Sequence, residues 1–248
     1  MRTIAFLNQK GGVGKTTVAV NVAVGLTRLG RRVVAADLDP QGHMTRSFGV
    51  EPEGATLYEL MKGQRTLAET LLEVEGVRLA PASMELSGVD TEFAAQPGKE
   101  RLVANALAAV PDADACILDC PPNLGLLTVN ALAAADSIVI PVQAEYLALA
   151  GLGALMDTVE AARSINAGLS VLGIVLTRYN HRKRLCREVA GAIRSHFPEL
   201  IFETRIRESV ALAEAPGFGQ SIFAYSPRSA GALDFLGLSR EVDARGFA

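Results

Sequence analysis

Nine residues near the N-terminus, Gln9-Lys10-Gly11-Gly12-Val13-Gly14-Lys15-Thr16-Thr17, carry the clearest chemistry in this chain. Glycines in such a run let successive backbone N–H groups turn inward and cradle phosphate oxygens, and a helix start adds the positive end of its dipole. A lysine placed as Lys15 is reaches β- and γ-phosphates, and a hydroxyl placed as that of Thr16 sits on Mg²⁺. The run stands where such a loop must, after the apolar stretch Ile4-Ala5-Phe6-Leu7 and before a helical pattern from Val18 to Leu29. The spacing G-x-x-x-x-G-K-[ST] fails at its first glycine, because position 9 is Gln9. A second lysine, Lys10, stands at the loop entrance instead.

Two acidic strand ends extend the set. Asp37-Leu38-Asp39-Pro40-Gln41-Gly42 closes the second apolar run, and its carboxylates at i and i+2 share a side of a strand or straddle its last turn. A carboxylate here can hold a Mg²⁺-bound water or orient an attacking one. A solvated turn competes with that reading, since Asp and Pro favour turns. Ile117-Leu118-Asp119-Cys120-Pro121-Pro122 is an apolar strand ending in Asp, the Walker-B arrangement whose carboxylate holds Mg²⁺, usually through water. His43, the nearest histidine, reads as a loop residue and not as a base.

These groups need strands that end together. Apolar runs at 3–8, 32–38, 77–80, 115–120, 137–142, 171–177 and 201–204 alternate with helical patterns near 15–29, 55–62, 100–109, 124–134, 148–165, 184–197 and 229–243. Runs such as Ser137-Ile138-Val139-Ile140-Pro141-Val142 are apolar on both sides. The expectation is an α/β fold, a mostly parallel twisted sheet with helices on both faces. Ligands of such sheets bind beyond the carboxyl ends of the strands. Residues 81–99, punctuated by Pro81, Gly88, Pro97 and Gly98, read as a surface excursion. At 248 residues the chain suits a single domain over 1–248.

Composition narrows the classes. No apolar run reaches bilayer-spanning length, and the N-terminus enters the first strand directly, unlike a cleavable signal. Cys116, Cys120 and Cys186 are odd in number and lack metal-ligand spacing, which suits reduced thiols in a cytoplasmic protein. A net charge of −3 argues against a uniformly basic binder. Yet Arg178 to Arg194 holds six cations and one acid, net +5, against −8 for the remainder. In the helix beginning there, Leu185, Val189, Ala192 and Ile193, with His196 or Phe197, should point inward and Arg184, Arg187 and Arg194 outward.

Taken together, Lys10 to Thr16, Asp37 to Gly42, Asp119 to Pro122, Pro141-Val142-Gln143-Ala144-Glu145-Tyr146 and Leu212-Ala213-Glu214-Ala215-Pro216 resemble the deviant Walker-A ATPases of the ParA/Soj type, within the ParA/MinD superfamily. The resemblance runs from about Ile4 to Val242. It implies a P-loop NTPase fold, ATP and Mg²⁺ as ligands, and an ATP-sandwich homodimer. Gly11, Gly12, Val13, Gly14, Lys15, Thr16 and Thr17 would hold the phosphates, and Lys10 would reach the partner's nucleotide. Asp39 would be required for hydrolysis, Thr16, Asp39 and Asp119 would serve the metal, and Arg178 and Pro216 would line the adenine. Relatives of this type bind DNA non-specifically on the nucleoid and work with a ParB-like or other adaptor. Arg182, Lys183, Arg184, Arg187, Arg205 and Arg207 are the candidate DNA contacts.

One segment departs. Where the family commonly shows I-P-R-N-V-R-L-x-E-A-P, this chain reads Ile206-Arg207-Glu208-Ser209-Val210-Ala211-Leu212-Ala213-Glu214-Ala215-Pro216, with Glu208 and Ala211 at familiar arginine positions. Other readings stay open. A MinD-like membrane-cycling ATPase would need a basic amphipathic C-terminal helix, and the tail Leu238 to Ala248 is short and mixed in charge. A metabolic ATP-dependent ligase of the superfamily would need a second substrate pocket. An iron–sulfur reductase subunit would need paired cysteines, which the three do not supply.

Overall fold

The computed structural model describes residues 1–52, 54–108, 110 and 112–247. Seven strands form one sheet: β1 (Arg2–Phe6), β2 (Val33–Asp37), β3 (Leu72–Val74), β4 (Val77–Ala80), β5 (Ala115–Asp119), β6 (Ser137–Gln143) and β7 (Ser170–Thr177). Their order is β3-β4-β2-β5-β1-β6-β7, and every pairing is parallel except β3 with β4. Alternation along each strand divides the core. Ala5 and Leu7 face one layer, built from α3 (Leu57–Met61), α4 (Leu67–Thr70), α5 (Val89–Glu92), α6 (Leu102–Leu107), α7 (Leu126–Ala134), α8 (Ala148–Ala162) and α9 (Arg184–His196). Ile4 and Phe6 face the other, where α1 (Lys15–Arg28), α2 (His43–Ser47), α11 (Ile222–Tyr225) and α12 (Ala230–Gly246) pack. A short helix, α10 (Val210–Glu214), lies between β7 and α11 in sequence. The expected α/β sheet with helices on both faces is present.

Several expectations need correction. Residues 201–204 are no strand. Ile201 makes one bridge to Ile174, and then the N–H groups of Glu203 and Thr204 donate to the Glu241 carboxylate at 2.8 and 2.7 Å in place of a ladder. The 81–99 stretch is not a surface excursion. Leu86, Val89 and Phe93 are buried in the core, on a 3₁₀ turn (Met84–Gly88) that runs into α5. The helix expected over 100–109 spans Leu102–Leu107 after a 3₁₀ turn at Lys99–Arg101, and Ala109 lies outside the described residues. On α9 the inward set is Cys186, Val189, Ala190 and Ile193, while Leu185 is exposed. His43 opens α2 and is not in a loop. The closing helix runs to Gly246 and is seated by Phe235, Leu238 and Val242, with Ala248 outside the described residues. Among the described residues no helix is long and apolar enough to cross a membrane. The three cysteines are free and buried.

Two backbones touch beside the carboxyl end of the sheet. Gly219, after the 3₁₀ turn Ala215–Phe218, lies so close to Gly49 that a Cβ on Gly219 would stand 2.5 Å from the Gly49 Cα. Its φ of +63° also favours glycine. This approach ties the segment carrying Pro216 to the end of α2. Gly219→Ala should therefore destabilise the fold by about 2–4 kcal/mol, adding overpacking to the left-handed penalty. Gly30→Ala, at φ +89° with nothing within 4 Å of its would-be Cβ, should show only the conformational part, about 1 kcal/mol. Urea unfolding of both variants separates the two contributions. Equal losses would mean that the backbones part easily.

Candidate nucleotide site

The sheet order brings the ends of β1, β2 and β5 side by side. Phe6 is in register with Asp119, and Asp119 with Asp37. Chain leaving β1 turns through Gly12 (φ +77°) and Gly14 (φ +87°), values that glycine reaches without penalty. Gly14 then begins α1 with no side-chain cap, so the first N–H groups of that helix stay available. The Thr177 hydroxyl, at the end of β7, donates to the Val13 carbonyl at 2.7 Å and fixes the loop from the far side.

A cleft of about 770 Å³ opens over this loop. Gly11 to Val18 form its floor, Asp39, His43, Arg46 and Ser47 one wall, and Arg178 with Ile206 to Val210, Leu212, Ala213 and Pro216 the other. The structure thus gathers the expected phosphate-loop residues Gly11, Gly12, Val13, Gly14, Lys15, Thr16 and Thr17 with Asp39, Arg178 and Pro216. Asp119 lies beneath the floor and Lys10 outside the cleft. His43, Arg46, Ser47 and Thr177 join the site without a motif to mark them. Thr177 ends an apolar strand, the one signal in the sequence that points to it.

The acids differ sharply in their surroundings. Asp37 is fully buried and satisfied, accepting from the Thr45 N–H at 2.8 Å, the Thr45 hydroxyl at 2.7 Å and the Asp39 N–H at 3.1 Å. It anchors α2 to the sheet. Burial nonetheless pushes its pKa up to about 6, against the pull of those hydrogen bonds. Asp39 lies beyond the strand end, accepting from the Gln41 N–H at 2.9 Å, with His43 Nδ1 4.0 Å from its other oxygen. Asp119 is the anomaly. It is fully buried, and among the described residues neither carboxylate oxygen has a hydrogen-bond partner. Burial drives its pKa well above the usual carboxylate range, and Asp37 adds like-charge repulsion. The nearby Thr16 hydroxyl and Lys15 ammonium oppose the shift. An orphaned carboxylate beneath a phosphate loop fits a hydrated divalent cation, because Mg²⁺ uses one or two carboxylates plus substrate phosphates and water. No dedicated cage competes with that reading: among the described residues no three His, Cys, Asp or Glu side chains converge as metal ligands.

The candidate DNA residues come together in part. A bridge between Tyr179 and Arg207 brings the turn before α9 alongside 205–208. Arg205 lies over the Tyr179 ring at 4.7 Å and donates to its hydroxyl. Carboxylates answer several of the cations: Lys183 with Glu208, Arg184 with Glu188, and Arg207 with Asp234. Arg194 pairs with Glu203. Arg187 donates to the His181 and Arg182 carbonyls, and neither Arg182 nor Arg187 has a carboxylate partner among the described residues.

The fold and loop define a P-loop NTPase of the deviant Walker-A kind. A family model described as an AAA domain matches residues 1–171. The chromosome-partitioning ATPase Soj of Thermus thermophilus is 45% identical, covering 99% of this chain and 96% of that protein. The sporulation initiation inhibitor protein Soj of Bacillus subtilis is 40% identical, covering 99% of both. A solved structure described as cobyrinic acid a,c-diamide synthase from Mycobacterium smegmatis, with bound ATP analog and magnesium, superposes with a TM-score of 0.86 at 34% identity, covering 97% of this chain and 93% of that one. The chain belongs to the ParA/Soj family of partitioning ATPases.

Asp37 predicts a pH dependence of stability without ligand. Its folded pKa of about 6 stands above the unfolded value of about 3.9. The folded state therefore holds the proton more tightly. Its contribution is fully present below about pH 4 and is lost as pH rises through about 6. Urea unfolding in EDTA from pH 4 to 8 should show the parent losing stability relative to Asp37→Asn across this window. Parallel profiles would mean that Asp37 titrates normally.

Proposed function

We propose that this chain is a Mg²⁺-dependent ATPase that dimerises on ATP, binds DNA without sequence preference, and positions its cargo through a ParB-like or other adaptor on the nucleoid, acting as one domain. The observation that carries the reading is the orphaned Asp119 beneath Lys15 and Thr16, an arrangement that makes chemical sense once a cation and a triphosphate are present. In this reading the backbone of Gly11 to Thr17 cradles the phosphates and Lys15 neutralises the β- and γ-groups. Thr16, Asp39 and Asp119 would hold Mg²⁺, and Asp39 would orient the attacking water. Bound Mg²⁺ supplies charge neutralisation at the transferring phosphoryl group. Arg178 and Pro216 flank the base. Lys10, outside its own cleft, serves the nucleotide of a second copy. The amide-synthase name of the structural neighbour favours a ligase as the second reading, but the identity to the Soj proteins is higher over the same length.

Lys15→Ala should abolish ATP binding measured by calorimetry, and binding like the parent's would overturn the site. Asp39→Ala should bind ATP, fail to hydrolyse it and accumulate as a dimer in sedimentation. Phosphate release at the parental rate would remove Asp39 from the mechanism. A ligase would instead release phosphate only with an amide donor and an acceptor acid present.

For DNA the ion pairs set an order of importance. Arg182 and Arg187 are uncompensated by acids, whereas Lys183 and Arg207 must first leave carboxylates. With the ATP-locked Asp39→Ala dimer on non-specific duplex, Arg182→Ala should flatten the slope of log affinity against log salt by about one for each phosphate that Arg182 neutralises. Lys183→Ala should change it less. A locked dimer that ignores DNA at moderate salt would mean that Glu208 and Ala211 have removed the activity.

A further inference from the structure

The residues at the loop entrance are fastened to the neighbouring strand and helix. Asn8 Nδ2 donates to the Pro141 carbonyl at 2.7 Å, and its oxygen accepts from the Lys10 N–H at 2.9 Å. Gln9 Nε2 donates to the Thr158 hydroxyl on α8 at 3.1 Å. The Lys10 ammonium pairs with the Glu145 carboxylate in the turn between β6 and α8. That turn is itself fixed, since the Glu145 N–H donates to the Gln143 carbonyl at 2.8 Å and the Glu145 carbonyl accepts from the Ala148 N–H at 3.0 Å. Lys10 is therefore engaged by a carboxylate on its own subunit and does not line its own cleft.

We infer that Glu145 is a positioning residue that holds Lys10 in the free subunit and must release it when a second copy docks, so that each subunit's own ion pair opposes ATP-driven dimerisation. The inference rests on the proposal that Lys10 serves the partner's nucleotide. Two effects act in the same direction. The pair must break before Lys10 can reach phosphate, and the carboxylate left behind repels the incoming triphosphate. The side chains are 54% and 42% exposed, so one pair contributes little. A symmetric dimer breaks two, however, and the effects multiply.

The test is Glu145→Gln, which keeps the shape and removes the charge. In Mg²⁺ with ATPγS, sedimentation across a protein concentration series should give a dimer Kd about 2- to 30-fold tighter than the parent's. Binding of a fluorescent ATP analogue by dilute monomer should be unchanged, because Glu145 lies outside the cleft. The gap should narrow at high salt, which screens exposed charges. Glu145→Asp, which restores the charge, should dimerise like the parent. An unchanged or weaker dimer for Glu145→Gln overturns the inference, as does tightening in the Asp variant. Lys10→Ala separates the two levels. If Lys10→Ala dimerises normally, the reach of Lys10 to the partner's nucleotide is wrong. If it stays monomeric while Glu145→Gln is unchanged, the role of Glu145 alone falls.

Discussion

A carboxylate with no partner, buried at the end of the central strand, constrains everything around it. Burying such a group without compensation is unfavourable, and the usual escape is protonation. Asp119 is raised in pKa as that escape requires, with Lys15 beside it as the nearest source of positive charge. The order β2-β5-β1 puts Asp37 and the phosphate loop on either side of it. Asp37 meets the same burial differently, with three hydrogen bonds. One carboxylate is thus committed to architecture and the other left available for a ligand. That division follows from which of them α2 can reach.

The cleft above is assembled from segments far apart in sequence, and a few polar contacts hold them in register. Asn21 links the two sides of the α1 layer, donating to the Thr17 carbonyl at 2.8 Å and accepting from the Ile222 N–H at 2.8 Å. Glu75, at the tip of the β3–β4 hairpin, accepts from the Ser221 N–H at 2.9 Å. Gly49 against Gly219 closes the same wall at backbone level. The floor of the site is thus joined to the wall carrying Pro216 through hydrogen bonds that are buried or partly buried.

Much of this is legible in the sequence because the informative strands are apolar on both faces. β1, β2, β5, β6 and β7 are runs of Ile, Val, Leu and Ala, and each expected site residue in the floor of the cleft follows one of them. β3 is hidden because Leu72 and Glu73 are exposed at the sheet edge, where no pattern is imposed. The false strand at 201–204 has the right residues. Ile201 and Phe202 are buried, but Glu241 takes the N–H groups that a strand would give to a neighbour. In 84–93 the spacing of Leu86, Val89 and Phe93 is helical, masked by Gly88 and by an element too short to show a period. The type and place of Lys10 stand out in the sequence, but its partner does not. Glu145 lies 135 residues away, and only the adjacency of β1 and β6 joins them.

The uneven charge of the chain takes on a sharper meaning in three dimensions. The net +5 between Arg178 and Arg194 is partly answered from elsewhere, since Glu208 and Glu203 fold back onto Lys183 and Arg194. Glu208 thus engages a cation of that run from outside it. Asp234 does the same to Arg207 from α12, with little exposure to solvent. What remains uncompensated on one subunit is small. A polyanion competing with salt needs several simultaneous contacts, because each contributes a fixed counterion-release increment. A weakly basic face therefore gains disproportionately from being doubled. In the function proposed above, pairing of subunits would therefore govern adhesion to DNA, because only the doubled face offers enough contacts.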